Sequence, residues 1–180
     1  MEPETLEALK YPVGKFKAPE RYDAAVRRQS IEVLRHLPSN MEHAIENLDA
    51  HQMQTPYRPG GWNLVQVIHH VADSHMNSFV RFKLALTEDN PTIKPYREAL
   101  WAELADGTTP VVNLSLTLLH ALHSRWVILL ESLSEEQFAR TLVHPATGRV
   151  QSLEELLAIY AWHSNHHLHH ILALRERMGW

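Results

Sequence analysis

The sequence predicts an all-α protein whose core is a bundle of four long helices. Three observations carry this. Four segments repeat their apolar residues at helical period, Pro/Gly-rich stretches separate them, and strand signals are few.

The elements follow in order. Tyr11 to Pro19 holds two prolines and a glycine, and residues 1–20 read as an extended arm ahead of a single domain, 1–180. A first helix is expected from about Tyr22 to Leu37. Pro38 should interrupt it, with Ser39 or Asn40 capping a continuation to about Leu48. Thr55 to Gly61 carries two prolines and two glycines and is a loop. Asn63 and Gln66 stand at capping-box spacing and open the second helix. Leu64, Val67, Ile68, Val71, His75, Phe79, Phe82 and Leu86 then recur on one face. Pro91 and Pro95 lie in the connection beyond it. A third helix runs from about Leu114 to Leu133, and His144 to Gly148 makes a turn or small hairpin. Ser152 and Glu155 form a second capping box before the last helix, which ends near Arg177 at the stop signal Gly179. A faint echo relates the two halves. Leu48-Asp-Ala-His-Gln-Met and Leu133-Ser-Glu-Glu-Gln-Phe each precede a Pro/Gly loop, a capped helix and a histidine, His70 or His163.

Composition narrows the function. With 44% apolar and 21% charged residues the chain is an ordinary folded domain, long enough to bury a sizeable core. A net charge of -4 gives no basic field, so nucleic acid and anionic membrane are not expected partners. The first ten residues are acidic without an apolar stretch, and no run approaches a bilayer span, so the expected location is the cytoplasm. Cysteine is absent, which excludes disulfides, thiolate ligands and a cysteine nucleophile together. A metal site must then use His, Asp or Glu. Fourteen histidines are present, and the stretch Trp162 to His170, WHSNHHLHH, concentrates five of them.

Helical angles sort these histidines. With Leu153 at zero, the apolar arc of the last helix spans about 300° to 40°. His167 falls inside it at about 320° and His163 at its edge at about 280°. His170 at about 260° and His166 at about 220° belong to solvent or to support behind the first two, and His169 at about 160° is a surface residue. Residues four apart stack on one face, so His163 and His167 can reach one ion. On the second helix His70, Ser74, Asn77 and Arg81 form a polar stripe beside the apolar arc, between about 220° and 280°. Such a stripe fits a polar cleft opening from the core. Periodicity alone leaves open whether these imidazoles bind metal or are hydrogen-bonded core residues.

The stretch TPYRPGGWNLVQVIHHVADSHMNSFVRFKLALTE, the HSRW at 123–126 and the C-terminal LAIYAWHSNHHLHHILALRERMGW resemble the DinB-like superfamily, and within it the YfiT-type metal-dependent hydrolases of Gram-positive bacteria. The resemblance covers essentially the whole chain, including the YPVGKF arm. It implies an up-down-down-up four-helix bundle, a homodimer, and one divalent metal per chain on three histidines. One comes from W-x(7)-H-x-A, matched by Trp62, His70 and Ala72; two come from H-x(3)-H, matched by His163 and His167.

Three neutral imidazoles leave a divalent ion open positions for water or substrate, and the set suits Zn2+ or Ni2+. Such an ion lowers the pKa of bound water to about 7 and polarises an electrophile. Ser164, Asn165 and His166 separate the two ligands, so the Glu base of an HExxH protease is missing. Asp73 and His166 are candidates behind the ligands; Asn77, Arg81, His123 and Arg125 are candidates for a small-molecule substrate. Hydrolysis by activated water is the first expectation. The alternatives are transfer of a low-molecular-weight thiol, as in the bacillithiol- or mycothiol-dependent S-transferases that related proteins resemble, and a metal-binding stress protein without catalysis. A thiolate needs no general base, which suits the missing Glu.

Overall fold

The structure, a computed structural model, describes residues 5–146 and 148–180. The arm expected to be extended opens with a short helix, α1 (Leu6–Lys10), capped by the Thr5 hydroxyl, which accepts from the Ala8 N–H. Helix α2 (Ala24–Ile45) starts at Asp23, whose carboxylate accepts from the Ala25 and Val26 N–H groups. It runs through Pro38 without a break. A proline inside a helix costs the bond its missing N–H would make four residues back. Here that bond would go to the Leu34 carbonyl, and His123 Nδ1 donates to that oxygen instead, at 2.6 Å. The expected break at Pro38 therefore does not occur, and the helix ends at Ile45, before Asn47 takes a left-handed φ of 64°.

The short helix α3 (Ala50–Met53) leads through the Pro/Gly loop to α4 (Leu64–Thr87), which the Asn63/Gln66 capping box opens as expected. A long connection carries the short helices α5 (Glu98–Trp101) and α6 (Ala105–Thr108) to α7 (Asn113–Glu131). Then come the short helix α8 (Glu135–Phe138), the antiparallel strands β1 (Thr141–His144) and β2 (Arg149–Ser152), and α9 (Leu153–Met178). Thr147, in the turn expected between His144 and Gly148, lies outside the described residues. At α9 only half the expected capping box forms: Ser152 accepts from the Glu155 N–H, while the Glu155 carboxylate pairs with Arg149. The faint echo has a structural counterpart, since α3 and α8 each close a capping box, Asp49 with Gln52 and Ser134 with Gln137.

Two apolar clusters give the topology. One joins Leu37 and Met41 of α2, Leu64 and Ile68 of α4, Leu116 and Leu119 of α7, and Ile171 and Leu174 of α9. The other joins Ile31 and Leu34, Phe79 and Phe82, Trp126 and Leu130, and Leu153 and Leu157 of the same helices. Thus α2 and α9 run one way and α4 and α7 the other: up-down-down-up. The two parallel neighbours, α4 and α7, need the long connection to return the chain to its starting end. Part of it pairs with the hairpin, where Ile93 N–H donates to the Val143 carbonyl and Val143 N–H to Pro91. No described helix is long and apolar enough to cross a membrane.

Candidate metal centre

Between the apolar clusters lies a buried polar layer that includes His70, Ser74 and His75 of α4, His123 of α7, and His167 and His170 of α9. Polar groups at this depth need partners, and the partners form a connected pattern.

His70, His163 and His167 come together, each with a ring nitrogen within 4.8 Å of the others'. Their ring centroids stand 4.5 Å (His163–His167), 4.8 Å (His70–His167) and 5.4 Å (His70–His163) apart. Burial, reinforced by the nearby His166, pushes the His70 pKa down to about 4. Burial and the neighbouring imidazoles hold His163 and His167 well below the ordinary histidine value. All three are therefore neutral near pH 7, the form in which imidazole offers a lone pair to a metal. A converging set of three neutral imidazoles, without thiolate or carboxylate, fits a borderline divalent cation with positions left open.

A second group, His166, His167 and His170, overlaps the first through His167. In it both nitrogens of His170 are engaged, Nε2 with the Lys10 carbonyl at 3.1 Å and Nδ1 with His167 Nδ1 at 3.4 Å. On the other side, His163 Nδ1 meets His75 Nε2 at 3.1 Å, and His75 Nδ1 meets His123 Nε2 at 3.0 Å.

A cavity of about 520 Å³ opens beside the three histidines. Ser74, Arg81, Tyr160 and Trp162 line it from the bundle, Trp62 from the loop before α4, and Tyr96 and Glu98 from the connection. The Ser74 hydroxyl lies 3.3 Å from that of Tyr160. Burial raises the Tyr96 pKa above its ordinary value, against the influence of nearby Ser74, so this phenol stays protonated. Arg81 is half-buried and makes no hydrogen bond or ion pair among the described residues.

The other candidates separate. His166 is buried, not solvent-facing; it lines the cavity, stacks on Trp162 at 4.6 Å, and its pKa is lowered by burial to about 4. His170 is likewise buried. Asp73, Asn77, His123 and Arg125 do not line the cavity. Asp73 lies near Asp106 and His69, its pKa raised by burial first and by Asp106 second. The Asn77 amide donates to the Asp73 carbonyl, and Arg125 sits over the Phe79 ring. His123 is a core residue bonded to Leu34 and His75. Sequence reasoning missed Tyr96 and Glu98 at the cavity and the contact of His75 with His163, while His170 takes the supporting position behind His167 that was one of its two readings. The first two belong to a connection without period. His75 falls on the apolar face of its helix by period, and period gives depth but not partners.

Comparison with known proteins agrees with this architecture. The sequence profile of the DinB superfamily matches residues 33–171. YfiT of Bacillus subtilis (strain 168) is 47% identical over 172 residues, covering 96% of this chain and 97% of that protein, and is a candidate metal-dependent hydrolase by name. A relative in Bacillus cereus (strain 03BB102) with the same kind of name is 49% identical, covering 96% of this chain and 98% of its own. The solved YfiT structure, described as an unusual four-helix bundle, superposes with a TM-score of 0.93 over 96% of this chain and 99% of that one.

Proposed function

The chain belongs to the DinB superfamily, and from that premise we propose that it is a metal-dependent hydrolase of small electrophilic substrates, with His70, His163 and His167 as the ligands of one divalent ion. The observation that carries this reading is the convergence of three neutral imidazoles beside a cavity of about 520 Å³. A divalent ion there, Zn2+ or Ni2+ by the preference of the donors, would supply Lewis acidity and make water a nucleophile near neutral pH.

The chain's own side chains do the rest. Trp62, Trp162 and Tyr160 wall the cavity with aromatic surface and exclude bulk water from its inner part. The Tyr96 hydroxyl, kept protonated by burial, donates a hydrogen bond to an oxygen of the substrate. Glu98 is the one carboxylate lining the cavity among the described residues, and it takes the proton that hydrolysis releases. Glu98→Gln is expected to retain full metal content and lower kcat by about 10²–10⁴-fold. An unchanged kcat removes Glu98 from the mechanism.

Arg81 lies about 16 Å along the axis from His70, at about 1.5 Å per residue, too far to touch the ion. Its unpaired guanidinium faces the same cavity and binds a carboxylate or phosphate on the distal part of the substrate. Arg81→Ala should raise KM for an anionic substrate by about 10–100-fold with little change in kcat and none in metal content. Equal KM values for the two proteins place the anion elsewhere.

The function itself is tested by assaying ester, amide and related substrates with metal-stripped and metal-restored protein, with and without a low-molecular-weight thiol, and weighing the products. Metal-dependent addition of water supports hydrolysis. Addition of the thiol replaces hydrolysis with S-transfer, and no turnover by restored protein leaves a binding protein.

A further inference from the structure

We infer that two imidazole chains, each ending on a backbone carbonyl that its own helix leaves unbonded, lock His163 and His167 in the tautomer that frees Nε2 for the metal. His75, His123 and His170 are then positioning residues. The inference rests on the metal-site reading for its purpose, but its geometry stands on the chain alone.

The polarity of each chain follows from its last member. A carbonyl oxygen can only accept, so the ring nitrogen facing it must carry the proton. Facing the Leu34 carbonyl at 2.6 Å is His123 Nδ1, which therefore donates. In neutral His123 that makes Nε2 the acceptor, and His75 Nδ1, 3.0 Å away, must donate to it. His75 Nε2 is then an acceptor and receives a hydrogen bond from the His163 Nδ1–H at 3.1 Å. His163 is left with its lone pair on Nε2. The second chain repeats the logic. His170 Nε2 donates to the Lys10 carbonyl at 3.1 Å, so its Nδ1 accepts from His167 Nδ1 at 3.4 Å, and His167 too keeps a bare Nε2.

Both terminal carbonyls are available for a reason written in the chain. Leu34 lies four residues before Pro38, which has no N–H to give it. Lys10 is the last residue of α1, where carbonyls lack helical partners. The proline and the N-terminal helix thus set the orientation of the His163 and His167 rings through intervening imidazoles. His70 makes no hydrogen bond among the described residues and has no such chain, so it serves as an internal control.

The test is a long-range ¹H–¹⁵N correlation spectrum of the full chain, labelled at histidine nitrogens, stripped of metal and held near pH 7.5. His75, His123, His163 and His167 should show protonated Nδ1 and bare Nε2, and His170 the reverse. A protonated Nε2 on His163 or His167 overturns the inference. His123→Leu should return His163 to a tautomer mixture and weaken zinc binding, measured against a competing chelator, by about 10–100-fold. His123→Gln, whose amide can donate to Leu34 and accept from His75, should recover most of that loss. A Leu variant with wild-type tautomers and wild-type zinc affinity overturns the role of His123. Should that variant fail to fold, the wild-type spectrum decides alone. Correct tautomers in a protein that binds no zinc would uphold the two chains and defeat the metal reading, so the two failures are distinct.

Discussion

Replacing His163 with Ala is expected to lower the affinity for a divalent ion by more than about 100-fold, the upper end of what supporting residues around a metal contribute. His163 provides one of three converging nitrogens, and its removal leaves two imidazoles to hold the ion. Loss of the ring also leaves His75 Nε2 without its donor, so the supporting chain is broken at its functional end. His169→Ala is the matched control. It is the next-to-last residue of the same histidine-rich stretch, but its Nδ1 bonds the Asn165 carbonyl of its own helix at 2.8 Å and it belongs to neither histidine group. Elemental analysis after dialysis against a weak chelator reads the result directly. The His169 variant should keep its metal and the His163 variant should lose nearly all of it. Equal content in the two would sink the ligand assignment.

Acid should destabilise the metal-free protein through His123. Burial lowers its pKa to about 4, with the Leu34 hydrogen bond acting in the opposite sense and His120 adding to the depression. Its other polar neighbour is His75, which is also neutral, its pKa held well below the usual histidine range chiefly by burial. The unfolded chain binds a proton at about 6.5. Between pH 6.5 and 4 the unfolded state therefore carries a proton that the folded state refuses, and stability falls as pH falls. Above that window the contribution is complete, and below it the loss levels off. The size is about 3 kcal/mol from His123 alone. Urea unfolding at pH 7, 6, 5 and 4 measures it, and His123→Gln should flatten the curve by the equivalent of one proton. A variant with the slope of the parent protein would assign the acid sensitivity to other groups.

The long helices were legible because amphipathic period and capping residues are local. Asn63 with Gln66 marked the start of α4, and Gly179 marked the end of α9, where it takes a left-handed φ of 71°. The same period put His163 and His167 toward the core and His70 beside it. What sequence could not show was anything set by a contact between distant segments. Pro38 reads as a break because propensity counts the lost backbone bond; the side chain that takes the vacated carbonyl is 89 residues away. His75 reads as one more buried position on an apolar face, since depth and not chemistry is what period reports. Tyr96 and Glu98 reach the cavity only because the connection pairs with β1, and no local pattern announces that pairing.

The carbonyl ends of the two imidazole chains have a consequence for the traffic of charge. Rows of hydrogen-bonded imidazoles are good proton wires when both ends can release and receive a proton. Leu34 and Lys10 offer amide oxygens, which hold no proton near neutral pH, so each row is a blind alley. The bundle interior then acts as an insulator around the centre. On the proposed hydrolase reading, a proton released at the centre would leave through the cavity, on Glu98, on water or on the departing product, and turnover would be tied to an open mouth even when the chemistry is fast.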